Sequence, residues 1–246
     1  MKGIILAGGT GSRLQPLTNV TNKHLLPVYK KPMIYYPLET MLKANIKEIL
    51  FVTGGEYIGD FFRLLGSGKK FGAHFSYEIQ DGNGGTAAAL LLAKDFVKKD
   101  EFLVILGDNV VSEDISQFIN NFKKEKTEYR AKILISKVKN PKKYGVVQFK
   151  GKKIINIVEK PQNPPSNYVN TGLWIFLPEV FQLIANLRKS PRGEYEITDV
   201  LAQYAKEGKL TYSILKSIWT DAGSFESLYD ATVLMKRLDD MKNKRT

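Results

Sequence analysis

One stretch near the start of the chain constrains it most: Gly3-Ile4-Ile5-Leu6-Ala7-Gly8-Gly9-Thr10-Gly11-Ser12-Arg13-Leu14. An apolar run of strand length leads directly into small residues around Thr10 and then an arginine. A Gly-rich turn at the C-terminal edge of a buried strand exposes backbone N–H groups that cradle phosphate. The P-loop grammar requires Gly-Lys-Ser/Thr at its end, which Ser12-Arg13 does not supply. The dinucleotide fingerprint requires a third glycine where Leu14 stands. What is left is Gly-Gly-x-Gly-Ser-Arg-Leu, a phosphate loop with its own guanidinium. Arg13 suits an oxyanion because its donors form a planar fork.

The 246 residues suffice for one large domain with a generous core. No run of eighteen apolar residues occurs, so no membrane partner is expected. Lys2 and the short apolar run after it end in Gly-Gly rather than a cleavage site, which reads as a buried strand and not a signal peptide. Cysteine is absent, which excludes disulfides and thiolate metal sites, and His24 and His74 are too few for a zinc cluster. A cytoplasmic location is expected by default. The net charge of +12 raises the question of nucleic acid. Its lysines are scattered in pairs such as Lys69-Lys70, Lys98-Lys99 and Lys142-Lys143, not gathered on one helix or interleaved with aromatics. That pattern fits general surface charge that also attracts anionic substrates, so no nucleic-acid partner is expected.

Strand-like and helix-like runs alternate through the first half. Strands are expected at 47–53, 75–79 and 101–106, and helices at 33–44, 58–65, 86–97 and 115–124. This alternation implies an α/β fold with a Rossmann-like, mainly parallel sheet flanked by helices. In such sheets the ligand cleft lies at the C-terminal strand edges, where Gly8 to Arg13, Gln80 to Gly85 and Asp108 all fall. The second half changes texture: strands at 131–138, 145–149, 154–158 and 169–177 joined by short turns imply an antiparallel portion. Helices at 179–186 and 197–207, a strand at 210–215 and a long helix after Ser224 follow. Ser224 is its expected cap, with Phe225, Leu228, Tyr229, Ala231, Thr232 and Met235 on its apolar face. The expected organisation is one domain over 1–240, made of a first half (1–128), a second half (129–223) and a C-terminal helix (224–240), then a basic tail (241–246); the resemblance described below implies that the first half binds nucleotide and the second sugar phosphate.

Gly107-Asp108-Asn109 follows an apolar strand, so Asp108 is either a turn cap or a cleft ligand. Trp219-Thr220-Asp221-Ala222-Gly223 again sets an Asp just past a short strand. Two separated aspartates meeting at a cleft suit Mg²⁺, which takes one or two carboxylates together with phosphate oxygens and water. Val158-Glu159-Lys160-Pro161 ends another strand. Lys160 suits a phosphate and Glu159 sugar hydroxyls, although a surface Glu-Lys pair reads the same way. No activated Ser, Cys or His nucleophile stands out, so no covalent intermediate is suggested.

With Pro16-Leu17-Thr18, Asn22-Lys23-His24-Leu25-Leu26-Pro27-Val28 and Lys31-Pro32-Met33 in register behind the phosphate loop, the chain resembles the nucleoside-diphosphate-sugar pyrophosphorylases, and among them the thymidylyltransferases. The Gly-Asp-Asn, Glu-Lys-Pro, Trp-x-Asp-x-Gly and Arg192-Gly193-Glu194-Tyr195-Glu196-Ile197-Thr198-Asp199 strings carry that resemblance from Lys2 to about Met235. It implies a glycosyltransferase-A-like nucleotidyltransferase fold and an enzyme joining dTTP, or UTP, to glucose 1-phosphate with release of pyrophosphate. By the resemblance Arg13, Lys23, Asp108 and Lys160 are catalytic, and Asp108 and Asp221 hold Mg²⁺ as cofactor. Leu6, Gly8, Gly9, Gly11, Asp108 and Trp219 would contact substrate, and Gln80 and Gly85 would read the base. Tyr144, Gly145, Glu159, Lys160, Thr171 and Gly172 would line the sugar pocket, with the Thr171 hydroxyl among the contacts. A homo-oligomer is also expected. Thr220 stands where the family usually has Leu, which touches local packing and not the ligand. Family members carry a further C-terminal helical segment with a feedback site; this sequence ends at Thr246, so strong feedback inhibition is not expected. The alternatives are another nucleotide-sugar pyrophosphorylase, a catalytically silent nucleotide-sugar-binding subunit, or a nucleic-acid module motivated by charge alone.

Overall fold

The structure is a computed structural model that describes residues 1–243. The chain begins with β1 (Lys2–Ala7), the small hairpin β2 (Pro27–Val28) and β3 (Lys31–Pro32), and α1 (Tyr35–Lys43). Next come β4 (Glu48–Gly54), α2 (Ile58–Leu65), β5 (His74–Gln80), α3 (Thr86–Leu91), α4 (Lys94–Val97), β6 (Phe102–Leu106) and β7 (Asn109–Val111). The second half holds α5 (Ser116–Glu125), β8 (Ala131–Lys137), β9 (Gly145–Lys150), β10 (Lys153–Glu159) and β11 (Tyr168–Phe176). It closes with α6 (Val180–Ala185), α7 (Ile197–Lys206), β12 (Leu210–Ile214), β13 (Trp219–Asp221) and α8 (Phe225–Asn243).

The phosphate-loop strand is central because both of its faces are apolar. Ile4 and Leu6 enter one core with Ala87 and Leu90 of α3 and Val200 and Leu201 of α7. Ile5 enters the opposite core with Leu38 of α1, Phe61 of α2 and Phe122 of α5. Alternation of side chains across a strand thus makes β1 the middle of three layers. Around it β6, β1, β4 and β5 run parallel, one strand per helical crossover. Their C-terminal ends release the Gly8, Gly54, Gln80 and Gly107 turns along one rim.

The antiparallel portion does not form a separate layer. β11 pairs antiparallel with β6 and joins both halves into one nine-stranded sheet. It also pairs with β9 at Val169 and with β8 along its length, and β10 lies outside β9. The strand expected at 210–215 is β12, which runs parallel to β8 after the α7 crossover. The β11–β8 register skips between Asn170 and Trp174, so β11 changes partner at Thr171-Gly172. Gly172 has φ +83, and a Cβ there would meet Leu106 Cδ1 at 2.5 Å. Only glycine fits that switch.

Several expectations are revised. The helix expected over 86–97 divides into α3 and α4, because the Ala93 N–H bonds the Leu90 carbonyl three residues back and tightens the chain there. Ser224 caps α8, its Oγ accepting from Ser227 N–H at 3.3 Å while Ser227 Oγ accepts from Ser224 N–H at 3.0 Å. Leu228 and Met235 pack around buried Ala231, against Val28, Met33 and Tyr36. Phe225 and Tyr229 do not join them and face outward, because α8 rests on the molecule along one narrow stripe. The helix runs past 240 to Asn243, so residues 241–243 are helical, and 244–246 of the expected tail lie outside the described residues. Among the described residues no helix is long and apolar enough to cross a membrane.

Gly172→Ala combines a positive-φ penalty with a clash against Leu106. Urea unfolding of this variant is expected to show a loss of roughly 1–3 kcal/mol; an unchanged midpoint would show that β11 tolerates a side chain at the switch.

Candidate active site

Two cavities of about 420 and 260 Å³ open along the rim formed by the parallel strands. Thr86, Leu106, Asp108 and Glu194 belong to the walls of both. Asp108 therefore stands where the two spaces meet.

The larger cavity is built on the phosphate loop and includes Leu6, Gly8 and Gly9. Gly8 lies so close under Gln80 that a Cβ would meet its Oε1 at 2.5 Å. Gln80, released at the end of β5, donates through Nε2 to the Gly85 carbonyl at 3.1 Å, which fixes its carboxamide. Gly85 (φ +86) packs against Glu194 and the Tyr195 backbone. The Tyr195 N–H donates to Gly84 O at 3.0 Å and its carbonyl accepts from Ala87 N–H at 3.0 Å. The Arg192–Asp199 string thereby buttresses the loop expected to read the base. Gly11 is not in the cavity wall; it turns the chain beneath Thr18 and Lys23, whose side chains a Cβ would meet within 3 Å. Its contribution is the shape of the loop.

Lys23 reaches into the junction and pairs with Asp108 at 2.6 Å. Burial alone would raise the Asp108 carboxyl, and the adjacent Lys23 ammonium reverses this and brings it down to about 2. Asp221 arrives through a two-stranded ladder. β13 pairs antiparallel with β7, setting Asp221 opposite Asn109, and Ala222 N–H donates to the Asp108 carbonyl at 2.9 Å. Asp221 is thus the last residue of its strand rather than just beyond it. Burial and the neighbouring Asp108 push its carboxyl up, while the Tyr144 hydroxyl donates to its Oδ1 at 3.0 Å. Burial and the Asp221 charge push the Tyr144 phenol up in turn, so it stays a donor.

Gly223 reveals what this arrangement can hold. A Cβ on Gly223 would lie 3.4 Å from Asp108 Oδ2, 3.4 Å from Asp221 Oδ2 and 3.0 Å from Arg13 Nη2. Two carboxylate oxygens and a guanidinium thus converge on space that only a missing side chain leaves open. Two carboxylates without further protein ligands suit Mg²⁺ shared with phosphate oxygens.

The smaller cavity gathers Arg13, Tyr144, Gly145, Glu159, Lys160, Gly172, Trp219 and Asp221. Arg13 belongs to this wall and Lys23 to that of the larger cavity, so the two cations approach the junction from opposite sides. Glu159 accepts from the Thr198 hydroxyl at 2.6 Å and pairs with Lys160 at 3.4 Å. Lys160 N–H donates to the Tyr144 carbonyl at 3.0 Å, which ties the two residues. Trp219 packs edge-on against the Tyr144 ring. Thr171 corrects the expectation for its hydroxyl: the group is buried and donates to the Leu134 carbonyl at 2.7 Å. The residue sits at the register skip of β11, where the hydroxyl restores a strand contact.

Reasoning from the sequence missed Asn109, Glu194, Thr198 and Gly223 as individual parts of the site. All four stand in quoted motifs, which was the available signal. Arg192 is held by Glu196 at 2.8 Å and Glu194 at 3.1 Å, both from its own string.

The chain belongs to the nucleotidyl transferase family, whose family model matches residues 2–237. It is an enzyme of that family. A glucose-1-phosphate thymidylyltransferase of Neisseria meningitidis is 39% identical over 99% of this chain and 85% of its own length. One from Mycolicibacterium smegmatis is 40% identical over 97% of this chain and 83% of its own. Among solved structures, a protein of Bacillus anthracis described as a glucose-1-phosphate thymidylyltransferase, in complex with a sucrose, superposes with a TM-score of 0.91 at 48% identity, covering 95% and 94% of the two chains. A UDP-glucose pyrophosphorylase complexed with UDP-glucose gives 0.84 at 26% identity, covering 96% of this chain and 98% of the other.

Two predictions arise from these electrostatics. Asp108→Asn, which removes the carboxylate at the junction, is expected to lower turnover at least about a hundredfold while the fold survives; near-normal turnover in a steady-state assay would exclude Asp108 from the chemistry. His24, buried beside this pair, has its imidazole pulled down to about 3 by burial and by Lys23. The unfolded chain takes up a proton near pH 6.5 and the folded one does not until about pH 3. Stability is therefore lost as pH falls through that window, by up to about 1.4 kcal/mol per pH unit. His24→Gln should flatten the decline in urea unfolding followed from pH 7 to 4, and an equally steep decline would remove His24 as its source.

Proposed function

We propose that the protein catalyses direct nucleotidyl transfer from dTTP, and also from UTP, to glucose 1-phosphate. A phosphate oxygen of the sugar 1-phosphate attacks the α-phosphorus, the bond from that phosphorus to the β-phosphate bridging oxygen breaks, and pyrophosphate departs. The observation that carries this reading is Asp108 on the wall common to two cavities, one edged by a phosphate loop and the other by Glu159 and Lys160. In-line displacement requires such a meeting point between two bound phosphates.

Each residue has a part that its surroundings support. The Gly8-Gly9 turn and Lys23 take the triphosphate, and Gln80 and Gly85 meet the base edge. Lys160 holds the sugar phosphate and Glu159, oriented by Thr198, accepts from sugar hydroxyls. Arg13, in the wall of the smaller cavity beside both carboxylates, neutralises charge on the α-phosphate where the two cavities meet. Asp108 and Asp221 would hold Mg²⁺, which when bound supplies Lewis-acid charge at the phosphate oxygens. Preorganised cations carry most of the rate enhancement in this scheme. The names of the relatives, three-quarters or more of whose length aligns here, support the sugar and the base.

Thymine and uracil present the same O2, N3–H and O4 edge, so Gln80 and the Gly85 backbone cannot separate them by hydrogen bonds. Discrimination falls to the thymine methyl and the ribose 2′-hydroxyl. A methyl-sized difference in an apolar pocket is worth about 1–3 kcal/mol. The ratio of kcat/KM for dTTP over UTP is therefore expected below about 200, with ATP and GTP far behind both. Pyrophosphate release with glucose 1-phosphate and Mg²⁺ measures all four. A purine preference overturns the base assignment, and no release with any of them overturns the reaction.

A further inference from the structure

Asn22 immediately precedes Lys23, is buried with 5% of its surface exposed, and belongs to the wall of neither cavity of the site. Its Oδ1 accepts twice from His24, from the backbone N–H at 2.9 Å and from ring Nδ1 at 2.7 Å. A backbone N–H only donates, so the carboxamide oxygen must lie on that side, and the ring nitrogen facing the same oxygen must carry a proton. Burial and the Lys23 ammonium keep the ring neutral, which leaves Nε2 without one. The first bond closes an Asx turn, in which a side chain holds the N–H two residues on. Lys23 is the middle residue of that turn. On the other side of the segment, Ile34 N–H donates to the His24 carbonyl at 2.9 Å. Asn22 Nδ2 reaches the Ala7 carbonyl at 3.5 Å, where β1 gives way to the phosphate loop. The ring itself lies against Gly107, where a Cβ would meet His24 Cδ2 at 2.7 Å. Lys23 is therefore hung between the ends of β1 and β6, the strands that carry Gly8 and Asp108 into the site.

We propose that Asn22 is a positioning residue that locks the His24 ring in its Nδ1–H form and by that lock seats Lys23 on Asp108. The inference rests on the reading of the larger cavity as the nucleotide site. Asn22 has no contact with the reacting atoms, and its effect is selective. Lys23 stands in the wall of the larger cavity and not of the smaller one. A loosened turn thus weakens the grip on nucleotide and leaves glucose 1-phosphate binding as it is. Outer partners that fix the tautomer and orientation of ligating side chains matter by about ten- to a hundredfold, and the same scale is expected here.

His24 and His74 are the only histidines of the chain, so a His74→Gln variant assigns the ring nitrogens of His24 in nitrogen-15 NMR spectra of the full-length protein. At neutral pH the wild-type ring is expected to be protonated at Nδ1 and bare at Nε2. Asn22→Ala removes both acceptor contacts and is expected to let the proton move to Nε2. The same variant is expected to raise KM for dTTP about tenfold or more, with KM for glucose 1-phosphate little changed. Asn22→Ser closes the same turn more weakly and is expected to move both readouts in the same direction by less, which keeps the test open should the alanine variant fail to fold. Thermal unfolding is recorded alongside. A wild-type ring protonated at Nε2 overturns the proposal alone. So do variants whose two KM values stay unchanged or rise together, whatever their unfolding midpoint, because Asn22 is then a structural residue. Absence of turnover in the wild-type enzyme is a different result, which overturns the nucleotide reading and the proposal with it.

Discussion

Two carboxylates sharing a buried junction repel each other, and the site depends on how that repulsion is offset. Asp108 keeps its charge because Lys23 lies 2.6 Å away in the same low-dielectric surroundings. Asp221 is pushed toward protonation by burial and by Asp108, and a Tyr144 hydroxyl and the nearby Arg13 counter that push. Left uncompensated, a buried charge of this kind destabilises a fold by about 3–5 kcal/mol. Lys23 and Arg13, cations that bound phosphates would meet, are thus also groups that make the carboxylates tolerable.

Backbone irregularity supplies the geometry. β7 and β13 form a ladder too short to stand alone, yet it delivers Asp221 next to Asp108. β11 gives up regular pairing at Thr171-Gly172, so one strand can serve β9 at one end and β6 at the other. The carbonyl and hydroxyl groups stranded there are taken up by Asn109 Nδ2 and Leu134 O. Buried polar groups must find partners, and here one of them, Asn109, sits in the site itself. Glycines mark the close approaches, with Gly8 under Gln80 and Gly223 between the carboxylates.

The two cavities are also mechanically joined. The segment from Arg192 to Thr198 closes Glu159 from one side through the Thr198 hydroxyl and props the Gly84-Gly85 loop from the other through Tyr195. Its internal ion pairs from Arg192 to Glu194 and Glu196 hold it as a unit. Wall residues of both cavities, Gly85 in one and Glu159 in the other, are thus held by one piece of chain.

The sequence by itself determined the α/β class, the central place of β1 and the rim on which the phosphate loop, Gln80 and Asp108 lie. Those are local properties: a strand apolar on both faces can only sit mid-sheet, and parallel crossovers send their turns to one edge. Motif strings also marked the stretches around Lys160, Asp221 and Thr198. Tertiary structure alone decided that β12 runs parallel to β8, that Phe225 and Tyr229 face outward, and that the Thr171 hydroxyl turns into the core. It alone set Lys23 on Asp108, Tyr144 on Asp221 and Asn109 between Trp219 and Thr171. Side chains show the periodicity of their own segment, but the partner that satisfies a buried charge or amide comes from a distant segment, and nothing in local spacing names it.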